Sequence, residues 1–393
     1  MTGITNLSAL IESARRHEEL LDISRPADPH LEIAAVARAT DGGPVTLFRN
    51  VKGHPGRAIV SNVFGSRNRI ARLCGVEPAY LPRYLGDAAL NPVASREVTD
   101  AACHDTVITT GIDIYKTIPV TQQTEADAGY VITGGLALAR DPETGAFNGS
   151  YHRMRVLGKD RTCITIQAGR HLLEIARKYR KAGRNQIPLT VNVGAGPAVL
   201  LACSGSTQQT LTPFGYDELG FAGAIQQEPV GIVRARTQDD AWALAEAELV
   251  LEGYIDTTQL TSEEDSGQDG VKGMMPEAGG YMGRAWKVWE FQVTAITHRR
   301  DYVYWFPLAS PSRTGFDLKA WYGVMGPANM PKPVVDKLNA EITKALRSPD
   351  LRDSLESRGM EIIALDVPQS TAYVKTEMER WAQAVKVSGA KAQ

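Results

Sequence analysis

Cysteine is sparse in this chain. Only Cys74, Cys103, Cys163 and Cys203 occur among 393 residues, widely spaced and with no CxxC pairing. That argues against a disulfide framework and for reduced, buried thiols in a cytosolic protein. Charge of either sign is also lacking in excess, since 43 basic and 45 acidic residues leave a formal net charge of −2. Such a balance gives no electrostatic reason to expect nucleic acid or an anionic membrane as partner. No apolar run approaches the length of a membrane-spanning helix. The opening MTGITNLSALIESARRHEEL lacks the basic region and unbroken apolar run of a secretory signal, so the expected compartment is the cytoplasm. Internal repeats and long low-complexity segments are absent as well. With 43% hydrophobic and 22% charged residues, the composition is that of a soluble globular protein with room for two or three domains.

Read in order, residues 6–20 carry Leu7, Leu10, Ile11 and Ala14 at helical spacing. Asp28-Pro29 offers an N-cap followed by proline, predicting a second helix over 31–40 that stops at Asp41-Gly42-Gly43-Pro44. Residues 45–48 and 58–60 read as short buried strands, and Gly65-Ser66 introduces a helix through Leu73. Residues 1–105 therefore form a small α/β layer domain. From residue 106 the signal turns to strand. Residues 130–140 and 147–157 are extended runs joined by the turn-forming Asp141-Pro142-Glu143-Thr144-Gly145. A strand over 163–166 leads into a helix opening at His171, and a strand over 189–193 enters Gly194-Ala195-Gly196, a weak phosphate-loop signal. Strands over 230–234, 249–251 and 286–297 complete a barrel or folded sheet. After Trp305 the texture changes: a Pro/Ser/Gly-bearing connector over 306–315 precedes helices over 331–346, 350–356 and 368–387, with a short strand over 361–364. The overall class is α/β (α+β).

The stretch NGSYHRMRVLGKDRTCITIQAGRH, residues 148–171, concentrates the chemistry. A carboxamide, an imidazole and a carboxylate can jointly hold a divalent cation against a phosphate. An arginine beside them suits the planar fork of a carboxylate. Taken singly, Asn148 can simply end a turn, His171 open a helix and Glu228 sit on the surface.

Fragments in a consistent order carry a more specific signal. ADPHLEIAAVAR, GGPVTLFRNVKGHPG, VFGSRNRIARLCGV, GYVITGGLALARDPETGAFNGSYHRMRVLGKDR, QAGRH, LGFAGAIQQEPVGIV, AELVLEGYI and PEAGGYMG resemble the UbiD family of reversible decarboxylases that use prenylated flavin mononucleotide. The resemblance implies an N-terminal α/β domain (1–105) and a split β-barrel that binds the flavin (106–305). It implies a carboxy-lyase acting on an aromatic or α,β-unsaturated carboxylic acid. Asn148, His171 and Glu228 match the positions that bind Mn²⁺ or Mg²⁺ against the flavin phosphate, with K⁺ a further expectation. Ser150, Tyr151, His152, Arg153, Arg170 and Ser204 sit where the family contacts the cofactor, often through backbone. Arg153 matches the arginine that orients the substrate carboxylate. Glu277 matches the acid/base glutamate, for which a partly buried carboxyl with a raised pKa is suited. One position departs: the family commonly has a glutamate five residues earlier, paired with the arginine, where this chain has Lys272. Ser262-Glu263-Glu264-Asp265 or Asp269 are the acids that a loop shift would bring in its place.

Residues 316–393 resemble a different family, the C-terminal part of tripartite-tricarboxylate-type solute receptors, through WYGVMGPANMPKPVVDKLNAEITKAL and LRDSLESRGMEII. A gene fusion joined at a linker over 306–315 accounts for both pieces. UbiD-family proteins form homo-oligomers through a C-terminal domain, which this receptor-like piece replaces. Two other readings follow from that replacement: a catalytically impaired remnant that still binds a flavin phosphate, and a solute-binding protein.

Overall fold

The run Val-Thr-Leu-Phe at 45–48 is apolar or small at every position because both faces of its strand are covered. In the computed structural model this strand, Val45–Phe48, lies inside a four-stranded sheet ordered Leu20–Ile23, Val45–Phe48, Ala58–Ser61, Val303–Trp305. The two outer pairings are parallel and the central one is antiparallel. The first strand carries no strand signal in the sequence, because its two central residues are exposed and it reads as the end of the preceding helix. That helix is shorter than its apolar spacing suggests. It spans Leu7–Arg16, with Asn6 Oδ1 accepting the Ala9 N–H at 2.9 Å. The structure describes residues 3–125, 127–167, 169–204, 213–263, 275–276, 282–283, 287–308, 323–327, 329–356 and 362–388.

The expected cap at Asp28 is corrected. Asp28 Oδ1 accepts the His30 N–H within a turn, and the helix begins later, as Glu32–Ala39. Proline at the next position holds the chain extended there, so the aspartate serves the turn and not the helix. Ser66 does cap helix Arg67–Cys74, which ends on a left-handed Gly75.

A second sheet runs in the order Arg161–Ile164, Lys287–His298, Leu249–Ser262, Gln186–Val193, Leu136–Arg140, Phe147–Tyr151, antiparallel throughout, with Thr106–Ile108 on Lys287–His298. Leu249–Ser262 is far longer than its three-residue apolar signal, since its buried Glu252 and Thr257 interrupt the hydrophobic pattern. The two ends of this order meet again: the Thr165 N–H donates to the Arg153 carbonyl at 3.3 Å. Helices His171–Lys181, Pro197–Ser204 and Glu218–Gln226 lie beyond the strands. The phosphate-loop reading of Gly194-Ala195-Gly196 has a plainer account. A Cβ on Gly196 would sit 1.9 Å from the Thr5 carbonyl oxygen, so its close approach is to the chain's own N-terminal segment.

Contacts divide the chain into two units, Met1–Arg313 and Thr314–Gln393. The second contains helices Lys332–Leu346, Pro349–Glu356 and Val367–Ser388. Asn339 Nδ2 donates to the Leu365 carbonyl at 3.1 Å. The short strand expected over 361–364 is not formed at residues 362–364, which are irregular; Glu361 lies outside the described residues. Among the described residues no helix is long and apolar enough to cross a membrane.

Candidate active site

The hairpin Leu136–Arg140/Phe147–Tyr151 builds the site's floor. Its turn is held by Asp141 Oδ1, which accepts the N–H groups of Glu143 (2.9 Å) and Thr144 (3.3 Å), and by Lys178 Nζ at 2.7 Å from Asp141 Oδ2. Strand alternation then places Asn148, Ser150 and His152 on one side and Tyr151 and Arg153 on the other. Asn148, Ser150 and His152 are all buried.

Asn148 and His171 meet on one carboxylate oxygen, and it belongs to Glu218. Asn148 Nδ2 donates to Glu218 Oε1 at 3.2 Å, and His171 Nδ1 lies 3.3 Å from the same atom. Glu218 is wholly buried, and its Oε2 has no hydrogen-bond partner among the described residues. Burial pushes its pKa up, opposed by the hydrogen bond and charge of His171 and, more weakly, by the backbone N–H groups of Glu218 and Gly149. This corrects the expected carboxylate. Glu228 lies past the end of the same helix with an exposed side chain, and its backbone N–H closes onto the Gly223 carbonyl. Glu218 is the first residue of Glu218–Gln226, so Glu228 stands beyond the opposite end of a helix about 12 Å long. Asp217 fixes this start: its Oδ1 caps the helix through the Gly220 N–H (3.0 Å), and its Oδ2 accepts the Phe147 N–H (3.3 Å). The cap therefore ties helix to strand one residue before Asn148.

His171 also opens a helix, His171–Lys181, behind Arg170. Two helix N-termini thus bring His171 and Glu218 together, a setting favourable to anions.

Arg153 faces a second acid. Its Nε donates to Glu263 Oε1 at 2.9 Å and its Nη2 to Glu263 Oε2 at 3.1 Å, a two-pronged pair with 18% and 2% of the side chains exposed. The Thr165 hydroxyl also donates to Glu263 Oε1. Lys272, Glu264, Asp265 and Asp269 lie outside the described residues, as does Glu277, the expected acid/base.

The remaining expected contacts divide. His152 has no side chain to spare for a cofactor, since its Nδ1 is 2.8 Å from the Thr165 carbonyl and its Nε2 2.8 Å from Ser150 Oγ. Burial lowers the His152 pKa to about 4; the bond to Thr165 opposes this and the charge of Arg170 adds to it. Tyr151 stacks edge-on against Trp305, with ring centroids 5.6 Å apart, and its hydroxyl is buried without a partner among the described residues. Ser204 is exposed and spends its hydroxyl on the Leu200 carbonyl at 2.6 Å.

Hard oxygen donors with one imidazole fit a divalent cation such as Mn²⁺ or Mg²⁺. The buried, unpartnered Glu218 Oε2 is the observation that favours this use, because a bare carboxylate oxygen in a dry site lacks a positive partner. Among the described residues no group of three or more His, Cys, Asp or Glu side chains clusters as ligands, so the set depends on the amide of Asn148.

Comparison with known proteins identifies the class. Residues 96–311 match the 3-octaprenyl-4-hydroxybenzoate carboxy-lyase Rift-related domain, and residues 11–89 match the N-terminal domain of the same enzymes. The chain belongs to the UbiD family. Residues 306–389 match the tripartite tricarboxylate transporter family receptor. Gallate decarboxylase from Lactiplantibacillus plantarum is 35% identical over 294 residues, which cover 70% of this chain and 59% of that protein. The chain therefore spans about three-fifths of that relative's length. The apo 3,4-dihydroxybenzoic acid decarboxylase of Enterobacter cloacae is similar in structure, with a TM-score of 0.72 and 32% identity over 79% of this chain and 66% of that one. The UbiD-class enzyme HmfF from Pelotomaculum thermopropionicum, in complex with FMN, gives a TM-score of 0.71 and 32% identity over the same shares.

Proposed function

We propose that this chain is a prenylated-FMN-dependent carboxy-lyase, releasing CO₂ from an aromatic or α,β-unsaturated carboxylic acid. One observation carries the reading: a wholly buried carboxylate, Glu218, gathers Asn148 and His171 on one oxygen and leaves the other without a partner among the described residues. Asn148, His171 and Glu218 would hold Mn²⁺ or Mg²⁺, and two helix N-termini would favour the flavin phosphate beside it. A K⁺ ion near the same phosphate belongs to this proposal. When bound, the prenylated flavin supplies the electron sink for decarboxylation.

The chain's own residues do the positioning. Arg153 presents its guanidinium to the substrate carboxylate, while Glu263 holds the guanidinium plane and Thr165 orients Glu263. Glu263 thus takes the part of the acid that Lys272 displaces from its usual place. Loss of CO₂ leaves an electron pair on carbon, and Glu277 is the proposed proton donor to it. Hydroxybenzoic acids are the first substrates to try, given the relatives named for gallate and 3,4-dihydroxybenzoate. A cytoplasmic location is a further part of the proposal; the four buried, free cysteines agree with a reducing compartment.

The test is reconstitution with prenylated FMN and Mn²⁺, followed by gel filtration and CO₂ release from gallic, 3,4-dihydroxybenzoic and cinnamic acids. Co-elution of flavin with turnover supports the enzyme. One competing reading is a remnant that binds a flavin phosphate, and co-elution without turnover selects it. A chain that retains no flavin but binds a tricarboxylate tightly is a solute-binding protein.

A further inference from the structure

Strand alternation aligns Asn148, Ser150 and His152 along one side, and their hydrogen bonds can be assigned proton by proton. The Thr165 carbonyl can only accept, so His152 Nδ1, 2.8 Å away, carries a hydrogen. Among the described residues no acid is hydrogen-bonded to this buried ring, which is therefore neutral, and its Nε2 is an acceptor. Ser150 Oγ, 2.8 Å from Nε2, must donate to it. A serine hydroxyl has one proton. It is thus unavailable to Asn148 Oδ1, 3.3 Å away on the other side. The Asn148 amide cannot turn round, because its Nδ2 is held by Glu218 Oε1, which only accepts. Asn148 Oδ1 is left with its lone pairs open and no other donor among the described residues.

We propose that His152 is a positioning residue: it holds the Ser150 proton away from Asn148 Oδ1 and so keeps that oxygen available to a divalent cation. The inference rests on the cation reading above. Removing the acceptor at Nε2 lets the Ser150 hydroxyl swing to Asn148 Oδ1, where it competes with the metal. Outer-shell changes of this kind cost roughly 10–100-fold in metal affinity.

The experiment is a Mn²⁺ titration read by electron paramagnetic resonance on the full chain with FMN present. His152→Asn keeps a donor for the Thr165 carbonyl but cannot reach Ser150, and should weaken Mn²⁺ binding about tenfold. Adding Ser150→Ala removes the competing proton, so the double variant should regain the affinity of Ser150→Ala alone. A double variant as weak as His152→Asn means that the imidazole is merely packing, and overturns the proposal. So does a His152→Asn variant that binds like wild type while Asn148→Ala does not, a result that leaves the cation reading standing. If Asn148→Ala and wild type bind Mn²⁺ alike, the cation reading fails and this inference with it. Should His152→Asn not fold, Ser150→Ala decides alone: wild-type affinity supports a proton that must be kept away, and a tenfold loss refutes it.

Discussion

Glu218→Gln separates the role of this residue from that of Glu228 in a single pair of variants. The side chain is wholly buried and one of its oxygens has no partner among the described residues. Without metal, the charged form is the costly one at pH 8, as the raised pKa shows. A neutral amide of the same shape keeps an acceptor for Asn148 and His171. The metal-free protein should therefore melt at the wild-type temperature or be stabilised by about 1 kcal/mol. With FMN and Mn²⁺ at 100 times the dissociation constant, binding stabilises the wild type by about 2.7 kcal/mol. For a unit of this size that is roughly 5 °C in melting temperature, at about 2 °C per kcal/mol. In the proposed cation site, replacing the Glu218 carboxylate should cost more than the roughly 100-fold upper range of outer-shell changes. At the same Mn²⁺ concentration the variant would then retain about 0.4 kcal/mol or less, under about 1 °C. Glu228→Gln, on an exposed side chain, should keep the full manganese shift and alter stability by no more than about 0.5 kcal/mol. Differential scanning calorimetry with and without Mn²⁺ reads all five numbers. A manganese shift that survives Glu218→Gln and vanishes in Glu228→Gln refutes the assignment.

Glu263→Ala removes the two carboxylate acceptors that Glu263 offers Arg153 and should cost about 3 kcal/mol in urea unfolding, the lower end for a broken buried pair because 18% of the Arg153 side chain stays exposed; a loss under about 0.5 kcal/mol would show the pair to be solvent-like. Burial raises the Glu248 pKa to about 7, against the Val303 N–H (2.9 Å), the charge of Arg299 and the Ser8 hydroxyl, while Glu246 adds to the rise. Its folded pKa lies above its unfolded one, so its stabilisation is complete below about pH 4.5 and disappears as pH rises through about 7. Glu248→Gln should abolish that decline, which is on the order of 3 kcal/mol; parallel urea midpoints for the two proteins between pH 5 and 7.5 would contradict the burial argument. A Cβ on Gly149 would lie 2.6 Å from Cys203 Sγ. Gly149→Ala should accordingly cost about 1–3 kcal/mol, and Cys203→Ala should restore part of it, as read by thermal melting.

Elements with a clean local signal were legible from the chain. Ser66 before an amphipathic run marks helix Arg67–Cys74, and the turn residues 141–145 mark the hairpin that carries Asn148. Two kinds of element escaped. Leu20–Ile23 is an edge strand directly after a helix, so its alternation merges with the helical period. Leu249–Ser262 buries Glu252, whose Oε2 accepts the Arg236 and Thr237 N–H groups; a buried acid held by one oxygen on a separate loop looks like a surface position in sequence. The closing of the N-terminal sheet by Val303–Trp305 is equally invisible, because nothing local states which sheet a strand will join.

The error at the carboxylate has the same physical root. Helix Glu218–Gln226 is buried on nearly every side, so it has no polar stripe and no helical period to find. What the sequence did contain was Asp217 followed by an acid in the first turn, an N-cap pattern that would have placed Glu218 at a helix start. At that position a carboxylate is favoured by the helix dipole and points at whatever lies before the helix, which here is Asn148 and His171. Glu228, ten positions on, occupies the opposite end, where the dipole opposes a negative charge and the chain turns out to solvent. The choice between two glutamates of one segment is thus decided by helix polarity, a property of the backbone that residue spacing alone does not express.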